Sequence, residues 1–151
     1  MESWKGDSNK SYGIETNIGI HFYDMLHFLF GNLIDAERHY VDNHRAGGFL
    51  SYERADVRWF LSIDRGDIEL VTDTDQPTYR SITVDGEEIE FSVGFTDLHT
   101  VSYEHIIKGQ GFGLDDARHC VETVEVLRAR QPDLEPHEAH LSEAIIAIKK
   151  K

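Results

Sequence analysis

Cysteine is nearly absent: Cys120 stands alone in 151 residues. No disulfide can close within the chain, and a reducing, cytoplasmic setting is the expectation. No apolar run is long enough to cross a bilayer, and the first ten residues, Met1 to Lys10, lack the apolar centre of a signal peptide. Positive charge is also scarce, with 15 Lys and Arg against 28 Asp and Glu and a formal net charge of −13. Such a field repels phosphate polymers and anionic surfaces, so neither nucleic acid nor a membrane is expected as a partner. A small anionic ligand stays compatible, because a few local donors act within a background screened over about 10 Å.

What is present suffices for one core, since 40% of the residues are hydrophobic and the length is that of a single domain. Residues 1–12 are polar and aperiodic and predict a loop or linker. Ile18, Phe22, Met25, Leu26 and Leu29 then recur at helical spacing, with Thr16 or Asn17 as N-cap and Gly31 as the left-handed stop. Strands are predicted at Leu33 to Asp42, Gly48 to Glu53 and Ala55 to Ile63, the last with Ala55, Val57, Trp59, Leu61 and Ile63 inward. Ile68 to Val71 predicts a further strand, and Ser81 to Val84 with Glu87 to Phe91 flank Asp85-Gly86, a dipeptide suited to a tight hairpin. Helices are predicted at Leu98 to Lys108, at Leu114 to Arg130 with Ala117, Cys120, Val121, Val124 and Leu127 inward, and from about Pro136 onward. Strands and helices are segregated along the chain. That order predicts an α+β layer, an open, mainly antiparallel sheet covered on one face by helices.

The chemistry-bearing candidates cluster between Gly13 and Gly31, where Asn17, His21 and Asp24 fall four and three residues apart on one flank of the predicted helix. An amide there can hold a sugar hydroxyl, an imidazole can exchange a proton near neutral pH, and a carboxylate can orient the ring. Taken alone, the three residues fit a capping Asn, a packed-edge His and a solvated Asp more readily than a site. Asp97, His99 and Thr100 stand at a strand-to-helix junction, a place suited equally to a substrate contact and to a helix cap beside an exposed His. His119 and Cys120 are adjacent, so they face different directions on a helix and read as a surface histidine beside a core cysteine. His137 and His140 have no third ligand at a recognisable spacing, and no metal is assigned.

The stretch Gly13 to Gly31 resembles the first helix of the C-terminal domain of the Gfo/Idh/MocA oxidoreductases, in which an Asp or Asn precedes a His by four residues; here these are Asn17 and His21. The resemblance continues through Val57 to Asp64, Ile82 to Phe91, Phe95 to Thr100 and Asp115 to Thr123, and is nearest to the branch that oxidises UDP-N-acetylglucosaminuronic acid at C3 for lipopolysaccharide sugars. It implies the same fold, with residues 13–151 forming a substrate-binding and oligomerisation domain that pairs with further copies through its sheet. It also implies NAD or NADP as cofactor, a UDP-sugar as substrate, His21 as the catalytic proton relay, Asn17 as a substrate-binding residue and a contribution from His99 and Thr100; Asp24 joins the substrate-binding candidates from its place on the same flank.

The family's N-terminal Rossmann domain, with its Gly-rich phosphate loop and the lysine usually assigned as base, is not in this chain, and Gly109-Gln110-Gly111-Phe112-Gly113 lacks the required spacing. Cofactor-binding residues are therefore expected on that other half, and this fragment alone is expected to be inactive. Tyr12 stands where the branch more often has glycine. The competing expectation is a stand-alone module that binds a sugar nucleotide or dimerises without redox chemistry.

Overall fold

The computed structural model describes residues 8–71, 76–93 and 97–132; the helix expected from about Pro136, and His137 and His140 with it, lie outside these. Two left-handed residues, Tyr12 (φ 60°) and Gly13 (φ 91°), separate a single helical turn, α1 (Ser8–Ser11), from the helix that follows. Part of the expected N-terminal loop is thus helical. Neither Thr16 nor Asn17 caps the next helix, because the chain is already helical at Ile14 (φ −65°, ψ −35°). The Thr16 hydroxyl instead donates back to the Tyr12 carbonyl at 3.1 Å, and the Asn17 N–H to the Gly13 carbonyl at 3.1 Å.

A π-helical turn, Glu15–Gly19, leads directly into α2 (Ile20–Phe30). Gly31 stops α2 at φ 86°, with its N–H donating to the His27 carbonyl at 2.9 Å. A side chain at that φ would be strained, which is why glycine marks the stop.

Strands β1 (Leu33–Val41), β2 (Arg45–Tyr52) and β3 (Asp56–Ser62) form an antiparallel sheet in that order. In one row across it Arg38, Gly48 and Trp59 are partners, and in the next Ala36, Leu50 and Val57. This face meets the helices: α5 (Leu114–Ala129) packs on α2 and β1, and the π turn touches β3. Ile14, Tyr23, Leu26, Leu50, Trp59, Val124 and Leu127 are among the core residues between the layers. The Trp59 ring meets Tyr23 edge-on at 5.7 Å, an arrangement favoured by the ring quadrupoles. The inward register expected for Trp59 holds.

Ile68 to Val71 is not a strand but part of α3 (Arg65–Val71). Asp64 opens this helix by accepting the Gly66 N–H at 2.9 Å, and Arg45 from β2 clasps Asp67 through Nε at 2.6 Å and Nη2 at 2.9 Å. A capping carboxylate and a long-range ion pair thus outweigh the strand propensity of a short apolar run. β4 (Ser81–Val84) and β5 (Glu87–Glu90) form their own two-stranded sheet, so the strands make two open antiparallel sheets where one was expected. Asp85 (φ 51°) and Gly86 (φ 84°) make the expected tight turn.

In α5 the buried stripe is Cys120, Thr123, Val124 and Leu127; Val121 is 53% exposed and Ala117 lies outside. Spacings of three, four and seven select Thr123 over Val121, and the Thr123 hydroxyl is satisfied by donating to the His119 carbonyl at 2.9 Å.

Burial pushes the Asp67 carboxyl upward, but the bonds from Arg45 and Ser62 outweigh this and hold it below the ordinary carboxylate range. Its folded value is therefore below the unfolded one of about 3.9, so the unfolded state binds the proton more readily, and the stability it contributes above that value disappears as pH falls. Urea unfolding followed from about pH 6 downward should show wild type losing stability more steeply than Asp67→Asn below about pH 4. Parallel curves for the two proteins would refute this.

Candidate functional site

The π turn takes one residue more than an α turn, with the Ile20 N–H reaching back to the Glu15 carbonyl. The strict four-residue repeat expected between Asn17 and His21 is broken there. Beyond the turn α2 is regular, so His21 and Asp24, three apart, do share a flank. His21 is exposed and has no hydrogen-bonded or ionic partner among the described residues, while Asn17 is half-buried.

Asp24 is engaged. Its Oδ1 accepts from His119 Nε2 of α5 at 2.8 Å, and since a carboxylate only accepts, that nitrogen carries the proton. The His119 ring in turn stacks on His27, with centroids 3.8 Å apart and planes 16° from parallel. His119, expected on the surface, is a half-buried bridge between α5 and α2, and the buried neighbour Cys120 donates its S–H to the Ala117 carbonyl at 3.0 Å. Asp24, His119 and Cys120 hold an oxygen, a nitrogen and a sulfur within 4.8 Å of one another. Burial, and then the Asp24 charge, push the Cys120 thiol up, which opposes the thiolate a metal would need.

Beneath the π turn, Glu15 is 2% exposed and forms a two-point ion pair with Arg38 of β1, one bond running from Nε to Oε1 at 3.0 Å and the other from Nη2 to Oε2. Beside it, burial and the Glu15 charge push the Tyr23 phenol well above its ordinary value, so Tyr23 stays neutral and takes no part in proton exchange near neutral pH. At the other end of α2, Arg54 Nη2 donates to the Leu29 carbonyl at 2.9 Å, and Glu53 accepts from the Asn32 side chain at 3.0 Å and its N–H at 3.1 Å. The helix bearing His21 is therefore fastened at both ends and along its flank.

His99 and Thr100 are exposed in the first turn of α4 (Leu98–Ile107), and no hydrogen bond or ion pair among the described residues joins them to the α2 cluster. Asp97 precedes them at φ 64° without a side-chain capping bond. Tyr12 adopts the left-handed φ that glycine takes freely, and its ring lies under the Arg128 guanidinium at 5.2 Å. Gly109 to Gly113 connects helix α4 to helix α5 and not a strand to a helix, so this segment is not a dinucleotide pyrophosphate turn.

Residues 1–56 match the family model described as the oxidoreductase family, C-terminal alpha/beta domain. By that match the chain resembles the C-terminal domain of the Gfo/Idh/MocA oxidoreductases, and the α+β layer described above agrees with it. It is similar to the WlbA (WbpB) dehydrogenase from Thermus thermophilus solved with NAD and UDP-GlcNAcA, at 46% identity and a TM-score of 0.77. The same enzyme with NAD and alpha-ketoglutarate matches at 48% and 0.78. Each match covers 91% of this chain and 44% of the solved one, so the chain spans less than half the length of that relative.

Proposed function

We propose that this chain is the substrate-binding half of an NAD-dependent sugar-nucleotide dehydrogenase that oxidises C3 of a UDP-linked N-acetylglucosaminuronic acid, as a step toward lipopolysaccharide sugars. The observation that carries the reading is 46% identity over 91% of the chain to a dehydrogenase solved with NAD and UDP-GlcNAcA. The exposed, unpartnered His21 on a firmly held helix agrees with it. In the reaction the C3–H bond gives up a hydride and the C3 hydroxyl a proton, leaving a ketone. The nicotinamide, held by the rest of the protein, supplies the hydride acceptor. His21 hydrogen-bonds or relays the hydroxyl proton, Asn17 positions the sugar, and Asp24 accepts from a sugar hydroxyl. His99 and Thr100 are assigned to a second contact with the same substrate. The sheet face bearing Glu37, Phe49 and Arg58, opposite the helices, is the proposed oligomer surface.

The test is formation of NADH from NAD and UDP-N-acetylglucosaminuronic acid by the full-length protein. His21→Ala should lower kcat by about a hundredfold, the scale of a lost acid-base group, with the melting temperature unchanged. Wild-type protein that binds the UDP-sugar but never reduces NAD would replace this reading with a binding module. Full turnover by His21→Ala would remove His21 from the chemistry.

A further inference from the structure

We propose that His119 is a positioning residue that orients the Asp24 carboxylate for substrate, a role that rests on the dehydrogenase reading above. Asp24 is the one candidate binding residue on α2 whose side chain is already held. Its Oδ1 accepts from His119 Nε2 at 2.8 Å, while Oδ2 has no described partner and the side chain remains 60% exposed. One oxygen is fixed and the other is left to accept a hydroxyl, on the flank that also carries His21. An unheld exposed aspartate would spread over several rotamers, and ordering it on binding would cost free energy that a preformed bond removes in advance.

His119 can serve as the fixed donor because it is itself constrained. Its backbone belongs to α5, whose neighbouring Cys120 and Thr123 are buried against the core, and its ring is stacked at 3.8 Å on His27, one turn beyond Asp24 on α2. The stack sets the ring plane, and the plane sets where the Nε2 proton points. His27, His119 and Asp24 thus form a chain of contacts that starts and ends on the site helix and passes through α5.

The experiment is steady-state kinetics of the full-length protein with UDP-N-acetylglucosaminuronic acid and NAD. His119→Ala should raise KM on the order of tenfold, the share of one charge-assisted hydrogen bond, and change kcat little. His119→Gln, whose amide N–H can still reach Asp24, should recover most of that loss. Asp24→Ala combined with His119→Ala should be no worse than Asp24→Ala alone, since losing the carboxylate already removes the group that His119 orients. Should His119→Ala not fold, His119→Phe keeps a ring against His27, deletes the bond and reads the same KM.

Losses that multiply in the double variant, or an unchanged KM in His119→Ala, overturn the assignment. Equal losses in the Gln and Ala variants that follow a fall in melting temperature also overturn it, in favour of a purely structural clamp. Wild-type protein that neither binds the UDP-sugar by calorimetry nor reduces NAD with it overturns the dehydrogenase reading and this assignment together. Wild-type turnover with multiplying losses overturns this assignment alone.

Discussion

Arg38→Met alone should cost about 3 to 5 kcal/mol of unfolding free energy, whereas Glu15→Leu with Arg38→Met should recover most of that loss. The asymmetry follows from burial. Glu15 is 2% exposed and its carboxylate is met at both oxygens by the Arg38 guanidinium. Removing the arginine leaves a carboxylate in the core with neither water nor a counter-charge, a state that stays folded only by taking up a proton or by opening the turn. Removing both groups takes away the desolvation cost together with the attraction, and an apolar pair of similar volume packs in their place. Urea unfolding of the two single variants and the double variant measures this directly. A single variant within about 1 kcal/mol of wild type would mean that the pair is solvated.

Gly48→Ala is expected to cost about 3 kcal/mol or to prevent folding. Gly48 sits in the central strand between Arg38 of β1 and Trp59 of β3. A Cβ there would press into the Glu37 carbonyl oxygen and come within 3.2 Å of Trp59 Nε1. A flexible side chain could swing away from such a contact, but a strand carbonyl cannot move without breaking its ladder, so the strain falls on the β1–β2 pairing. The sheet face under the π turn would be displaced with it. Thermal melts of Gly48→Ala against Gly86→Ala isolate this effect, because a Cβ at Gly86 meets nothing within 4 Å and only its left-handed φ of 84° is strained. Equal losses at the two positions would show that close packing at Gly48 is not the cause.

What could be read from the sequence was local. The Asp85-Gly86 turn is written in two residues that tolerate positive φ, the β3 register in alternation around Trp59, and the end of α2 in Gly31. Elsewhere side-chain hydrogen bonds that hydropathy does not report decided the outcome. Ile68 to Val71 reads as a strand until Arg45, 22 residues before Asp67, anchors the helix. Val121 and Thr123 are ranked wrongly for burial by hydropathy because Thr123 satisfies its own hydroxyl within the helix. Of the candidate site, the residue types around His21 were legible, but not the ion pair beneath it or the histidine beside it. The only local hint of Glu15 was a carboxylate on the apolar side of a helix, and His119 looked like any helix-surface histidine.

The span of that last contact sets an order of events in synthesis. His119 follows Asp24 by 95 residues, so at 5–20 residues per second the ribosome delivers α5 about 5 to 20 seconds after α2. Through that interval the helix carrying His21 has emerged while the element that packs on it has not. Its apolar face, with Ile14, Tyr23 and Leu26, has only the nascent sheet to rest against. The contact between α5 and α2 is completed near the end of translation of the described segment, so truncation before α5 yields a chain that keeps the Gly13 to Gly31 stretch without the His119 bridge to Asp24.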